Sequence, residues 1–183
     1  MSAAGSEIPY ASILPMNAEY DAICADFSAK IKKDICISEV YKINNPSITE
    51  AYEACRADIT RKRGKAPKEI NVYHGTTYVA ACNIAITGFL KTYSTVNAYG
   101  IGTYASIDPT TALWYCKDVR SKKDFNFIFV CKFLKGTYER TSSGKTIDTT
   151  LYDYSGSGDD KILVTPYDAG ILPVYLLRYY QYA

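Results

Sequence analysis

The chain has 183 residues, 48% of them hydrophobic, with 21 basic and 19 acidic side chains and a formal charge of +2. That length suits one domain, the apolar fraction excludes a disordered chain, and the near-balanced charge exerts no strong pull toward nucleic acid or an anionic membrane. The single histidine, His74, excludes metal centres that need two imidazoles, and most of the 18 tyrosines read as core. No apolar run reaches the roughly 20 residues that span a bilayer.

Residues 1–16, with Pro9 and Pro15, read as a loose lead-in that lacks the basic and apolar regions of a secretory signal. The six cysteines (Cys24, Cys36, Cys55, Cys82, Cys116 and Cys131) have no close spacing of a zinc knuckle or redox motif, so reduced, mostly buried thiols in an intracellular protein are expected. Tyr20, Ile23, Cys24, Phe27 and Ile31 mark one face of a helix over 17–33, with Asn17 as its cap. Ile35 to Ile43 reads as a strand. Ser47-Ile48-Thr49-Glu50 has the form of a capping box, followed by a helix with Ile48, Tyr52, Cys55 and Ile59 on one face. Arg61 to Lys68 then reads as a basic loop, either solvated or a nucleic-acid contact; no aromatic platform interleaves it.

From there the chain is rich in strands. Ile70 to Tyr73 runs into His74 and Gly75, where a glycine turn would let main-chain groups approach a ligand. A helix over 77–87 ends at Gly88, and 92–100 is a polar loop. A short strand over 103–106 precedes a helix capped by Asp108 with Pro109 at its first position. Strands follow over 126–134, 145–152, 161–167 and 174–182, with a flexible turn over 155–160. Helices first and strands later make an α+β fold.

Three pieces carry chemistry. Val72-Tyr73-His74-Gly75-Thr76 ends a strand; as a lone imidazole, His74 is either a structural residue or a ligand contact. Tyr99-Gly100-Ile101-Gly102-Thr103-Tyr104-Ala105-Ser106 is neither a dinucleotide fingerprint nor a P-loop. Tyr115 comes next, read as lying on the following helix, so that two tyrosines could sandwich a flat ring.

His-Gly-Thr after a strand, then Gly-x-Gly-Thr-Tyr-Ala, then Tyr115, resembles the catalytic domain of the poly(ADP-ribose) polymerase family, the diphtheria-toxin-like ADP-ribosyltransferases. Ile43-Asn44-Asn45-Pro46 with Tyr52, Ile86-Thr87-Gly88-Phe89, Val130 to Gly136 and Leu172 to Leu177 extend the resemblance over roughly residues 35 to 182. It implies a split antiparallel β-sheet with flanking helices, the catalytic domain spanning 35–183 and a lead-in and helix over 1–34 packed on it. It also implies NAD as substrate. His74 would bond a ribose hydroxyl, Gly75 would hold the nicotinamide through its main chain, Thr76 would contact the adenine side, and Tyr104 with Ala105 and Tyr115 would frame the ring. Where many members place a hydroxyl for the carboxamide, this chain has Ala112, with Thr111 or Thr110 as substitutes.

The resemblance puts Ile162 where chain-elongating members have a glutamate, so the catalytic positions read His74, Tyr104, Ile162. An isoleucine is neither acid nor base, which favours transfer of one ADP-ribose to a protein acceptor. Asp160 could share a strand face with Ile162, or be a solvated turn acid. Two other readings remain: a non-catalytic NAD or ADP-ribose binding module, and transfer to nucleic-acid ends. With about 70 residues before His74, no DNA-gated helical domain is expected, and the short 90–99 loop implies an open acceptor side.

Overall fold

The protein is described by a computed structural model covering residues 8–31, 35–94, 98–116 and 126–181. The described part of the lead-in, residues 8–16, is more ordered than its prolines suggest. β1 (Ala11–Ile13) pairs antiparallel with β2 (Ile35–Ile43), Ala11 standing opposite Ile43. Between them lies α1 (Ala18–Lys30), where the Asn17 side chain accepts the Tyr20 N–H at 3.1 Å. The residues 32–34 that would have ended the expected helix lie outside the described set. Phe27 anchors α1, its ring 6.0 Å from Tyr73 and 6.3 Å from Tyr179.

α2 (Pro46–Arg63) does not use the expected capping box. Pro46 takes the first helical position, where its missing N–H costs nothing, so the helix begins before Ser47. Asn45 stands just ahead, and its amide donates instead to the Ala85 and Ile86 carbonyls, both at 3.0 Å. Ile48, Tyr52 and Ile59 are buried as the periodicity requires. Part of the basic stretch is helix rather than loop: Arg61, Lys62 and Arg63 form the last turn, where cations oppose the negative end of the helix dipole, and Gly64 closes it at φ 71°.

Arg63 is largely withdrawn from the surface. Its guanidinium pairs with Asp153 at 2.9 Å and donates to the Thr149 and Thr150 carbonyls; the Asp153 side chain is fully buried and also accepts the Thr137 N–H and the Tyr167 hydroxyl.

The main sheet runs in the order β1-β2-β8-β5-β3, with β3 at Lys68–Thr76, β5 at Asn126–Lys135 and β8 at Ile171–Gln181. A second sheet has the order β4-β7-β6, from Thr103–Ala105, Leu163–Thr165 and Ser155–Gly156. All these pairings are antiparallel, so the fold is α+β with a split antiparallel sheet, as expected. Alternation along β3 sends Val72 into a core with Phe129, Phe133, Leu163 and Leu176, and Tyr73 into a second core with Phe27, Ile128, Leu177 and Tyr179.

Three strand expectations are corrected. β3 continues through His74, Gly75 and Thr76, which pair with Phe129, Ile128 and Phe127, so there is no glycine turn at 75. Residues 145–152 contribute only the bridge of Thr146 to Ile101, because Asp148 folds the chain back through its bonds to Thr150 and Tyr152. The expected flexible turn contains β6, and the next strand is confined to Leu163–Thr165. Of the thiols, Cys116 and Cys131 are buried and the other four are half-buried; all six are free. Among the described residues no helix is long and apolar enough to cross a membrane.

Candidate functional site

The two sheets meet at one bridge. Tyr73 donates its N–H to the Ser106 carbonyl at 2.7 Å and accepts the Ser106 N–H at 3.0 Å. These bonds leave the outer edge of β3, away from β5. Alternation along the strand therefore points the Gly75 N–H and C=O out of the same edge, past the bridge. Beyond the bridge the sheets diverge around a cavity of about 380 Å³.

α3 (Tyr78–Thr87) and α4 (Pro109–Leu113) complete the walls. Thr77 caps α3, Gly88 ends it at φ 74°, and Asp108 caps α4 by accepting the Thr110 N–H at 2.8 Å. Gly75 is the position where α4 crosses β3. A Cβ there would stand 2.0 Å from the Ala112 carbonyl oxygen and 2.5 Å from Cys116 Sγ. The glycine thus serves the packing of α4 against the strand, rather than a turn.

The cavity is lined by all the residues expected from sequence: His74, Gly75, Thr76, Tyr104, Ala105, Thr111, Ala112, Tyr115 and Ile162. His74 Nδ1 lies 2.8 Å from the Tyr104 carbonyl. A carbonyl only accepts, so Nδ1 carries the proton and Nε2 is an acceptor in the neutral ring. Burial pushes the imidazole below its ordinary value, and the carbonyl bond opposes this only in part. Phe89 packs on the ring edge-on, centroids 4.9 Å apart. The Tyr104 hydroxyl donates to the Gly100 carbonyl at 2.7 Å and accepts the Tyr99 N–H at 2.9 Å. Burial raises its pKa, so the phenol stays protonated.

Other positions differ from expectation. Tyr115 lies in the turn after α4, not on a helix, and is half exposed. Thr111 lines the cavity while the Thr110 N–H is engaged by the cap. Ile162 precedes β7 rather than lying on it, its N–H donating to Ser157 Oγ at 3.0 Å. Asp160 shares no strand face with it: at φ 61° it turns away and pairs with Lys135. Residues 95–97 of the 90–99 loop lie outside the described set; Tyr93 from that loop is exposed beside the cavity.

Sequence reasoning missed Ser106, Phe89, Tyr93 and the α3 residues Ala80, Asn83, Ile84 and Thr87, which also line it. Ser106, Thr87 and Phe89 stood inside the quoted motifs; the rest of the α3 face had no signal of its own. The described lining holds no Asp, Glu, Lys or Arg. Among the described residues no three His, Cys, Asp or Glu gather to hold a metal ion.

The family model described as the poly(ADP-ribose) polymerase catalytic domain matches residues 17–158. The human protein mono-ADP-ribosyltransferase PARP14 is 25% identical over 182 residues, covering 91% of this chain and 10% of its own length. The mouse protein mono-ADP-ribosyltransferase PARP10 is 23% identical over 154 residues, covering 78% of this chain and 16% of its own length. The chain thus spans about a tenth to a sixth of these curated relatives.

Proposed function

The chain belongs to the poly(ADP-ribose) polymerase catalytic domain family, and on that premise we propose that it is a mono-ADP-ribosyltransferase that takes ADP-ribose from NAD, passes it to a protein side chain and releases nicotinamide. The observation that carries this reading is the convergence of His74, from β3, and Tyr104, from β4, on one cavity with their ring and carbonyl hydrogen-bonded.

The site fits the substrate. The cavity edge presents the main-chain donor and acceptor of Gly75, which match a carboxamide. Tyr104 and the half-exposed Tyr115 supply aromatic faces for a flat cationic ring. His74, neutral and with Nε2 free to accept, suits a ribose hydroxyl.

The bond that breaks joins ribose C1′ to the pyridinium nitrogen. Its electron pair neutralises the ring, so nicotinamide leaves without a proton, and C1′ gains oxocarbenium character as in glycoside cleavage. His74 contributes by orienting the ribose, and the tyrosines by fixing the ring; orientation of this kind supplies a large share of such barriers. Ile162 offers no proton acceptor, so the incoming acceptor's own carboxylate, already ionised, is the nucleophile. With one sugar transferred, no carboxylate among the described lining residues is available to activate a ribose hydroxyl for a second.

The test is incubation with adenine-labelled NAD. Label on the protein or on lysate proteins, abolished in His74→Ala, supports the reading, and mass spectrometry then locates the acceptor residue. NAD binding with nicotinamide release at the background rate instead supports a non-catalytic NAD-binding module, which the absence of any charged side chain from the described lining favours.

A further inference from the structure

We propose that Ser155 is a positioning residue for Tyr104, acting through the main chain of Tyr99 and Gly100. This rests on the transferase reading, in which the Tyr104 ring is a wall of the nicotinamide site. Ser155, Val164 and Tyr104 stand opposite one another across β6, β7 and β4, so their side chains share one face of the small sheet. The Tyr99–Gly100 peptide lies over that face. Tyr99 donates its N–H to the Tyr104 hydroxyl, and that hydroxyl donates to the Gly100 carbonyl. From the far end of the row, the buried Ser155 hydroxyl donates to the Tyr99 carbonyl.

The same peptide is held from its other side. Gly100 sits at φ 100°, and a Cβ there would stand 2.9 Å from Thr141 Cγ2 and 3.2 Å from the Lys145 carbonyl. Ile101 donates its N–H to that carbonyl at 2.8 Å. The Tyr99–Gly100 segment is therefore clamped between Ser155 and the 141–145 segment, and the Tyr104 phenol bonds the peptide groups on either side of its central carbonyl, accepting the Tyr99 N–H and donating to the Gly100 carbonyl. A phenol whose one proton is engaged by Gly100 does not donate to substrate, so Tyr104 acts through its ring face, and the angle of that face depends on where Ser155 holds the peptide.

The test compares Ser155→Ala, Tyr104→Phe and the double variant. The first readout needs no NAD. In tyrosine-labelled protein, Ser155→Ala shifts the Tyr104 ring signal, assigned by its loss in Tyr104→Phe, and speeds Tyr99 amide exchange roughly tenfold. An unchanged ring signal and unchanged Tyr99 exchange overturn the proposal whatever the chain does with NAD.

The second readout is nicotinamide release. Ser155→Ala lowers kcat about tenfold with KM within about twofold, the signature of lost orientation rather than lost binding. In the Tyr104→Phe background, Ser155→Ala costs less than about a further twofold. Equal losses in both backgrounds overturn the proposal. A wild-type chain that neither binds NAD nor releases nicotinamide sinks the transferase reading instead, and the ring signal alone then decides the positioning role.

Discussion

His74 Nδ1 and the Tyr104 carbonyl meet at 2.8 Å across 30 residues of sequence, so the imidazole tautomer is set by the main chain of the very residue that forms the neighbouring wall. The two sheets are thereby locked twice, once at the Tyr73–Ser106 bridge and once through this ring.

A pH dependence follows. Burial depresses the His74 pKa below 6.5, so the unfolded chain takes up a proton near that value while the folded chain does so only at lower pH. The contribution of neutral His74 is complete above 6.5 and declines as pH falls from there toward the folded value. Urea unfolding should show wild-type stability dropping as pH falls through 6.5, with part of the drop absent in His74→Gln. NAD affinity should weaken toward acid as well, once Nε2 is protonated and cannot accept.

Gly75→Ala should be among the most damaging small substitutions. The new Cβ meets a backbone oxygen, Ala112 O, at 2.0 Å, and α4 must move off β3 to admit it. We expect a loss of about 3 kcal/mol in chemical denaturation. NAD affinity should fall too, because Tyr115 moves with α4. An unchanged midpoint would show that α4 yields freely.

Tyr115→Ala tests the exposed wall. Losing one aromatic face should weaken NAD binding by about 1 kcal/mol, roughly fivefold. The chain's single tryptophan, Trp114, is adjacent and exposed, so its fluorescence is a convenient reporter for the titration.

Ile162→Glu should not convert the chain into an elongating enzyme. No described lining residue carries a positive charge to hold the new carboxylate, and partial burial raises its pKa. Intact-mass analysis should still find single ADP-ribose additions. Ladders of several units on one site would contradict this account.

Arg63→Met should lower stability by about 3 kcal/mol without changing the salt dependence of any binding. It leaves the fully buried Asp153 carboxylate without its cation. Urea denaturation of this variant and of Arg61→Met, whose side chain is 74% exposed, separates the buried arginine from the solvated one.

The site was more legible in the sequence than the frame around it. His74, Tyr104 and Tyr115 stand in short motifs whose residue types answer directly to a sugar hydroxyl and a flat ring. The Asn45–Pro46 start of α2 is not legible locally, because a capping box at Ser47 and a proline at the first turn are both valid local signals, and only contact with α3 chooses between them. Residues 145–152 have strand-forming composition, but the Asp148 carboxylate competes for the backbone. β6 hides in a Gly-Ser run because what it supplies is close approach: a Cβ on Gly156 would stand 2.0 Å from the Ile162 carbonyl. The Arg63–Asp153 pair joins positions 90 apart, and no local pattern could announce it.

The edge of β3 has one more implication. Past Ser106 the strand stops being zipped to its neighbour, and the groups that turn toward the cavity at Gly75 are peptide groups, the same in every amino acid except proline. No change of side-chain chemistry at that position can retune them; substitution there acts only by wedging α4 away. Selectivity for what enters the cavity must therefore drift through the ring of side chains around this edge, such as Ala112, Thr111 and Ile162, while the edge itself stays a constant.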